Sequence, residues 1–220
     1  MAAFLENRYA QLIVLDGHGA PAAVPRFWHI DIMHAVCLVL ALYATPFWET
    51  KAPREWTEQE LQAMLQNSPW AQQADPTPPA TAYLATARPI REAEAEQHRR
   101  SATPPPEAAN PDYAEFLHND NGKHLVLAIP YPDPNSLADA AEARRMEKET
   151  ILKIGRRKIQ MDGHFPPTPS DPVLRLIFPR NIEAGDKTLV FELYLPGYSF
   201  PEKGVEFRLK DMFYKGKLEL

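Results

Sequence analysis

The chain has 220 residues, 45% of them hydrophobic and 24% charged, with 29 acidic against 24 basic side chains for a net charge of −5. That length and balance fit one globular domain, and a mild acidic excess gives no reason to expect nucleic acid or an anionic membrane as partner. The single cysteine, Cys37, excludes an intramolecular disulfide and a cysteine-rich zinc site.

The first feature along the chain is the run MHAVCLVLALYATPFW, residues 33–48. Residues 35–44 carry no charge. The run is shorter than the ~20 residues of a membrane-crossing helix and fits the ~7–15 residues of a signal-peptide core. Ala44 is a small residue suited to cleavage, with Thr45 and Pro46 behind it. Met33 and His34 supply no fixed positive charge, and the nearest arginine, Arg26, lies beyond Asp31. A lipoprotein anchor at Cys37 is not expected, because Met33, His34, Ala35 and Val36 lack the leucine and small-residue pattern before it. The resulting expectation is a leader over 1–44, a charged linker over 45–54 and one domain over 55–220. Translation from either Met1 or Met33 is compatible with it. The mature chain would be periplasmic or secreted, with no membrane span. The alternative is a cytoplasmic protein with residues 35–44 in its core.

EWTEQELQAMLQNSPWA, residues 55–71, holds the clearest helix signal. Thr57 and Glu60 have capping-box spacing, and Trp56 and Leu61 have the spacing of a hydrophobic staple. Leu61, Met64 and Leu65 form one stripe, and Asn67-Ser68-Pro69 stops the helix. Trp56 and Trp70 could form a ligand platform, but packing of a short helix onto a sheet is the preferred reading.

Residues 74–80 read as a linker, 81–87 as a strand, 88–100 as a polar helix with Pro89 in its first turn, and 101–112 as a proline-rich loop. A buried strand is expected over 123–132. A helix opened by Ser136 and Asp139 follows, to about Glu149. Gly155-Arg156 fits a two-residue turn joining a hairpin across 150–161. Strands are expected at 172–179, 187–195 and 204–220. In the last, Val205, Phe207 and Leu209 alternate with Glu206, Arg208 and Lys210, and Lys215-Gly216 turns the chain. The sum is an α+β fold: an antiparallel sheet with two or three short helices.

Four stretches carry a resemblance. EWTEQELQAMLQNSPWA resembles the start of the mature region in a group of uncharacterised secreted bacterial proteins. RLKDMFYKGKLEL resembles their C-terminal ending, RLIFPR the strand before it, and TAYLATARPIREA a strand-then-helix unit between. The resemblance covers about half of the chain from Glu55 on. It implies export, and it implies no activity, cofactor or catalytic residue.

Chemistry-bearing motifs are scarce. There is no Gly-rich phosphate loop, no G-x-S-x-G elbow and no H-E-x-x-H pair. His18, His29 and His34 fall in or before the leader. His118 and His124 bracket HNDNGKH, which reads as a hydrophilic turn before it reads as a metal loop. His164 lies near Asp162 and Asp171 in sequence and could do acid-base work with them, although Asp-Gly before proline is turn grammar. Ser68 and Ser136 have structural explanations, and Ser199 has no partner legible in sequence. Tyr194, Tyr198 and Phe200 around Pro196-Gly197 are the best exposed aromatic loop, with folding back over the sheet preferred.

No catalytic, metal or binding residue is therefore assigned, and no cofactor is expected. The function expected is that of a non-enzymatic exported protein, a binding or structural component of the cell envelope with an unknown partner. An extracytoplasmic hydrolase with a site built from scattered residues is the second expectation.

Overall fold

The computed structural model describes residues 45–75, 77–101, 110–131 and 134–220, so the expected leader over 1–44 and the middle of the proline-rich loop lie outside the described residues. The elements in chain order are α1 (Phe47–Thr50), a 3-10 turn (Pro53–Glu55), α2 (Glu58–Gln66), β1 (Ala71–Ala74), β2 (Ala80–Leu84), α3 (Arg88–Ser101) and α4 (Pro111–Asp120). Then come β3 (His124–Pro130), a 3-10 turn (Pro134–Leu137), α5 (Ala140–Glu149), β4 (Ile151–Ile154), β5 (Arg157–Gln160) and β6 (Gly163–Phe165). The chain ends with β7 (Val173–Pro179), β8 (Thr188–Tyr194), β9 (Glu202–Arg208), a 3-10 turn (Leu209–Asp211), β10 (Phe213–Tyr214) and β11 (Lys217–Leu218). Thr45–Leu220 forms one compact unit.

The fold is α+β, and every strand pairing is antiparallel. The strands divide into two sheets, β1-β2-β3-β7-β6 and β5-β4-β8-β9, with β10-β11 as a separate hairpin. Five α-helices occur among the described residues, more than expected.

Register fixes what each face of the five-stranded sheet carries. Leu125, Leu127 and Ile129 of β3 stand opposite Phe178, Leu176 and Leu174 of β7, so these six share one face. The second sheet covers that face: Phe178 meets Phe191 of β8 at 5.2 Å between ring centres, and Phe191 meets Phe207 of β9 at 5.8 Å. The other face carries Tyr83, Ala128 and Arg175 in a row. Helices cover it, since the Tyr83 hydroxyl donates to Glu94 of α3 at 3.0 Å and Arg175 lies 4.4 Å from the Tyr113 ring of α4. Burial on both faces explains why β3 and β7 read as continuous apolar runs instead of alternating ones.

The helix starts follow their sequence signals. The Thr57 side chain accepts from the Glu60 N–H at 3.1 Å, and the Glu60 carboxylate accepts from the Thr57 N–H at 2.8 Å, completing the capping box. Glu60 also accepts from Lys51 at 2.5 Å, and these bonds, Lys51 first, hold its carboxyl below the ordinary value. Asp139 caps α5, through a 2.7 Å bond from the Ala141 N–H. Ser136 belongs to the 3-10 turn before it.

Three elements depart from expectation. Asn110 accepts from the Tyr113 N–H at 3.1 Å and Pro111 fills the first position of α4, a cap-and-proline start hidden inside what reads as a proline-rich loop. Strand β1, sequence AQQA, has no strand-forming residue types and is set by its pairing with β2. Asp75, at the head of the expected 74–80 linker, exchanges backbone bonds with Gly204 at 3.0 and 2.7 Å and joins the edges of the two sheets. The expected 45–54 linker is likewise built into the fold. Phe47 and Trp48 pack on Trp56 and Trp70 at 5.5 and 5.9 Å, and the Glu49 carboxylate accepts the Lys215 N–H.

The alternation of β9 holds, with Val205, Phe207 and Leu209 buried. Lys203 continues the inward phase, 3% exposed, and its Nζ donates to the Pro78 carbonyl at 2.6 Å.

Candidate functional site

The C-terminal hairpin turns at Lys215 (φ 50°) and Gly216 (φ 75°), both left-handed as a two-residue primed turn requires. That turn sets Phe213 opposite Leu218 and Tyr214 opposite Lys217. Side chains alternate along a strand, so Phe213 and Tyr214 leave opposite sides of the backbone. Tyr214 goes inward at 1% exposure, meets Trp70 edge to face at 6.2 Å, and donates its hydroxyl to Glu92 at 2.5 Å. Burial, then the bond to Glu92, pushes the Tyr214 hydroxyl pKa up. Phe213 and Leu218 stay 48% and 37% exposed; only Phe200 joins them as a strongly exposed large hydrophobic among the described residues.

These two side chains line a groove of about 610 Å³. Its other wall is the β7–β8 connection, residues 182–187, and Leu209 also lines it. The connection is pinned. Arg157 of β5 donates to Glu183 at 2.6 Å, to Asp186 at 2.5 Å and to the Asn181 carbonyl at 2.8 Å. Asp186 also accepts the Glu183 N–H at 2.7 Å. That N–H and then Arg157 hold the Asp186 carboxyl below its usual range. The groove thus has one wall fixed by a guanidinium fork and another fixed by a tight hairpin. Lys187 and Lys210 stand at its edge.

The histidine clusters assemble differently from expectation. His124 bonds Asp120 through Nδ1 and Asp162 through Nε2, the latter at 3.1 Å, so both ring nitrogens are occupied. Phe116 packs on the ring at 5.6 Å. His118 is exposed on α4, and no group of three ligand-type side chains suited to a metal occurs among the described residues. In HNDNGKH the turn is confined to Asn121 and Gly122, while the residues before it end α4. His164 faces Glu147 at 3.4 Å, and its pKa is lowered because burial outweighs the pull of Glu147. Asp162 serves His124, and Asp171 is taken by Arg175 at 2.5 and 3.2 Å, so neither completes a site with His164. Neither His124 nor His164 lines the groove.

The remaining candidates have structural employment. The Trp70 indole donates to the Glu219 carbonyl at 2.8 Å, and Trp56 is 2% exposed. Ser68 donates to the Met64 carbonyl at 2.8 Å and closes α2. Tyr194 is buried and bonds Glu142 and Arg145, both at 2.7 Å, while Tyr198 packs on Tyr131 at 5.4 Å. The Pro196-Gly197 loop therefore leaves Phe200 exposed alone, and it makes no aromatic patch.

Phe213 and Leu218 were not singled out by the sequence. The available signal was Met212-Phe213-Tyr214: three large apolar residues in a row fill both strand phases, so one phase must face outward. No family model matches the chain, and neither a curated protein nor a solved structure matches it.

Proposed function

We propose that this protein is a non-enzymatic binding component of the bacterial cell envelope, exported from the cytoplasm, and that it binds through the C-terminal groove. The groove carries the reading. Two large hydrophobic side chains stand exposed side by side on a pinned hairpin, facing a pinned loop across about 610 Å³. Their exposed part, 48% and 37%, leaves unmade about half or less of the ~1.5–3 kcal/mol that full burial of each would give, and concave apolar sites of ~300–1,000 Å³ are the usual form of a ligand pocket.

Export is supported by the uncharged run at 35–44 and by the resemblance of the chain from Glu55 on to secreted bacterial proteins. A hydrolase built on the histidines has less support, since a general base needs a ring nitrogen facing its substrate. His124 has both nitrogens on carboxylates.

Mass spectrometry of the native N-terminus in separated cell fractions tests export. A start near Thr45 in the periplasmic or secreted fraction is expected, and an intact Met1 in the cytosol overturns it. Retention with the envelope after osmotic shock tests the groove. Phe213→Asp is expected to release the protein, and retention equal to wild type removes the groove from the reading.

A further inference from the structure

We infer that the groove holds a single-chain amphiphile with an anionic head, of the fatty-acid type. Its chain lies over Ile182, Leu209, Phe213 and Leu218, and its head meets Lys187 and Lys210. The inference rests on the groove being a binding site and names the chemistry of its ligand.

The charge pattern at the groove carries it. Glu183 and Asp186 are both held by Arg157, and Asp211 is held by Arg208 at 2.8 Å. The acids nearest the groove are thus already paired. Lys187 and Lys210 are exposed, line the groove, and have no ion pair among the described residues. They also lie close together along the chain path. Thr188 and Arg208 are the last paired residues of β8 and β9, and the Leu209 N–H donates to the Lys187 carbonyl at 2.9 Å just beyond them. Glu183 and Asp186 share one guanidinium, so Arg157, Lys187, Arg208 and Lys210 against Glu183, Asp186 and Asp211 leave the groove with one net positive charge, which an anionic head neutralises. The protein as a whole is net negative, so this cationic edge runs against the average.

The shape selects a chain in preference to a peptide or a bilayer. An added peptide strand needs a free backbone edge of some length; β8 and β9 are paired with each other where they reach the groove, and the outer edges of β10 and β11 are two residues each. A bilayer surface needs apolar groups that protrude, whereas Phe213 and Leu218 line a concavity. An alkyl chain needs neither.

The test is calorimetric titration of the folded chain with octanoate, decanoate and dodecanoate as monomers, and with dodecyltrimethylammonium as the opposite head. Affinity for the carboxylates is expected to rise with length, by up to about fourfold per methylene. Replacing both lysines, Lys187→Glu with Lys210→Glu, is expected to weaken dodecanoate at least tenfold and to leave the cationic amphiphile unweakened. Phe213→Asp is expected to weaken both. Unchanged melting temperatures show that the variants fold. Affinity independent of chain length, or of head charge, overturns the inference. So does binding to phosphatidylglycerol vesicles without binding to monomeric dodecanoate. If dodecanoate fails while Phe213→Asp still releases the protein from the envelope, the ligand class falls and the groove stands. If Phe213→Asp changes neither, both fall.

Discussion

Phe213 and Tyr214 are adjacent on one two-residue strand, and they belong to opposite halves of the molecule's design. Tyr214 ends a chain of edge-to-face aromatic contacts that runs from Trp56 through Phe47, Trp48 and Trp70. That chain ties the N-terminal turn to the C-terminal hairpin, and its polar tips are satisfied: the Trp70 indole by Glu219 and the Tyr214 hydroxyl by Glu92. The Trp56 indole N–H is the exception, buried with no acceptor among the described residues. Among the described residues Phe213 has no such ring contacts, and it stays half exposed beside the groove. Residue type does not separate the two cases. Strand phase does, and so does the presence of partners for what is buried. Aromatic density near a terminus thus says little about function until the phase is known.

The sealed half should fail first. Trp70→Ala empties a fully buried site and removes the bond to Glu219, and is expected to cost about 3–5 kcal/mol in urea unfolding. A loss near zero would mean that the aromatic chain does not hold the hairpin. Asp171→Ala comes next. It strands Arg175, 1% exposed, whose guanidinium lies 4.4 Å from the Tyr113 ring. Burial alone would lower the Arg175 pKa, but the bonds and charge of Asp171 keep it raised. Breaking a buried pair by removing one partner is expected to cost about 3–5 kcal/mol, whereas replacing both by apolar residues of similar volume is expected to cost much less. Similar losses in the single and paired variants would show that packing, not the uncompensated charge, sets the cost.

How much of this was legible in the chain depends on where each element gets its stability. Helix α2 was readable because Thr57, Glu60, Trp56 and Leu61 encode its start locally. The Gly155 turn and the alternation of β9 were readable for the same reason. Strand β1 was not, because AQQA is extended only where β2 pairs with it. Helix α4 is hidden in the sequence because Asn110-Pro111 is both a helix start and loop grammar. The two-sheet arrangement was not legible either, since β3 and β7 are apolar on both faces and their sequence cannot say which layer lies on which side. For the site, Lys215-Gly216 was read as a turn, but its consequence was not: it decides that Phe213, not Tyr214, faces water. The histidines and carboxylates were read as neighbours in sequence. Folding keeps Asp120 on His124, adds Asp162 to it, and gives Glu147 to His164.

A smaller effect should appear at α3, where Glu96 gathers Arg99 at 2.8 and 2.6 Å and Arg100 at 2.7 Å, and Arg100 donates to the Trp56 carbonyl at 2.6 Å. This network anchors α3 to the start of the aromatic chain. The bonds from Arg99, opposed by burial and helped by Arg100, hold the Glu96 carboxyl at about 2, below its ordinary 4.5. A depressed carboxyl pKa contributes stability that is complete above the unfolded value and is lost as pH falls through the folded one. Glu96→Gln is therefore expected to lower stability at pH 7 and to flatten the acid limb between about pH 4.5 and 2. Parallel acid limbs for the two proteins would show that the carboxylate is not held by these arginines.

The smallest effect on stability is expected at Phe213, and that smallness is the sharpest form of the comparison. Phe213→Ser removes an exposed ring from the hairpin and leaves Tyr214, Trp70 and the Lys215-Gly216 turn in place. Only about half of the ring is buried, so the loss should stay at ~1 kcal/mol, and its unfolding midpoint should move little from wild type. Tyr214→Ser, one residue on, should cost several kcal/mol by opening a cavity beside Trp70 and removing one of the donors to Glu92, which keeps Arg88 at 2.7 Å. A large residue kept apolar and half exposed for so small a gain in stability is one whose exposed half serves something outside the fold. If Phe213→Ser instead proved strongly destabilising, the ring would be a packing element after all. The groove would then be a by-product of the hairpin, and the binding reading would lose the observation that carries it.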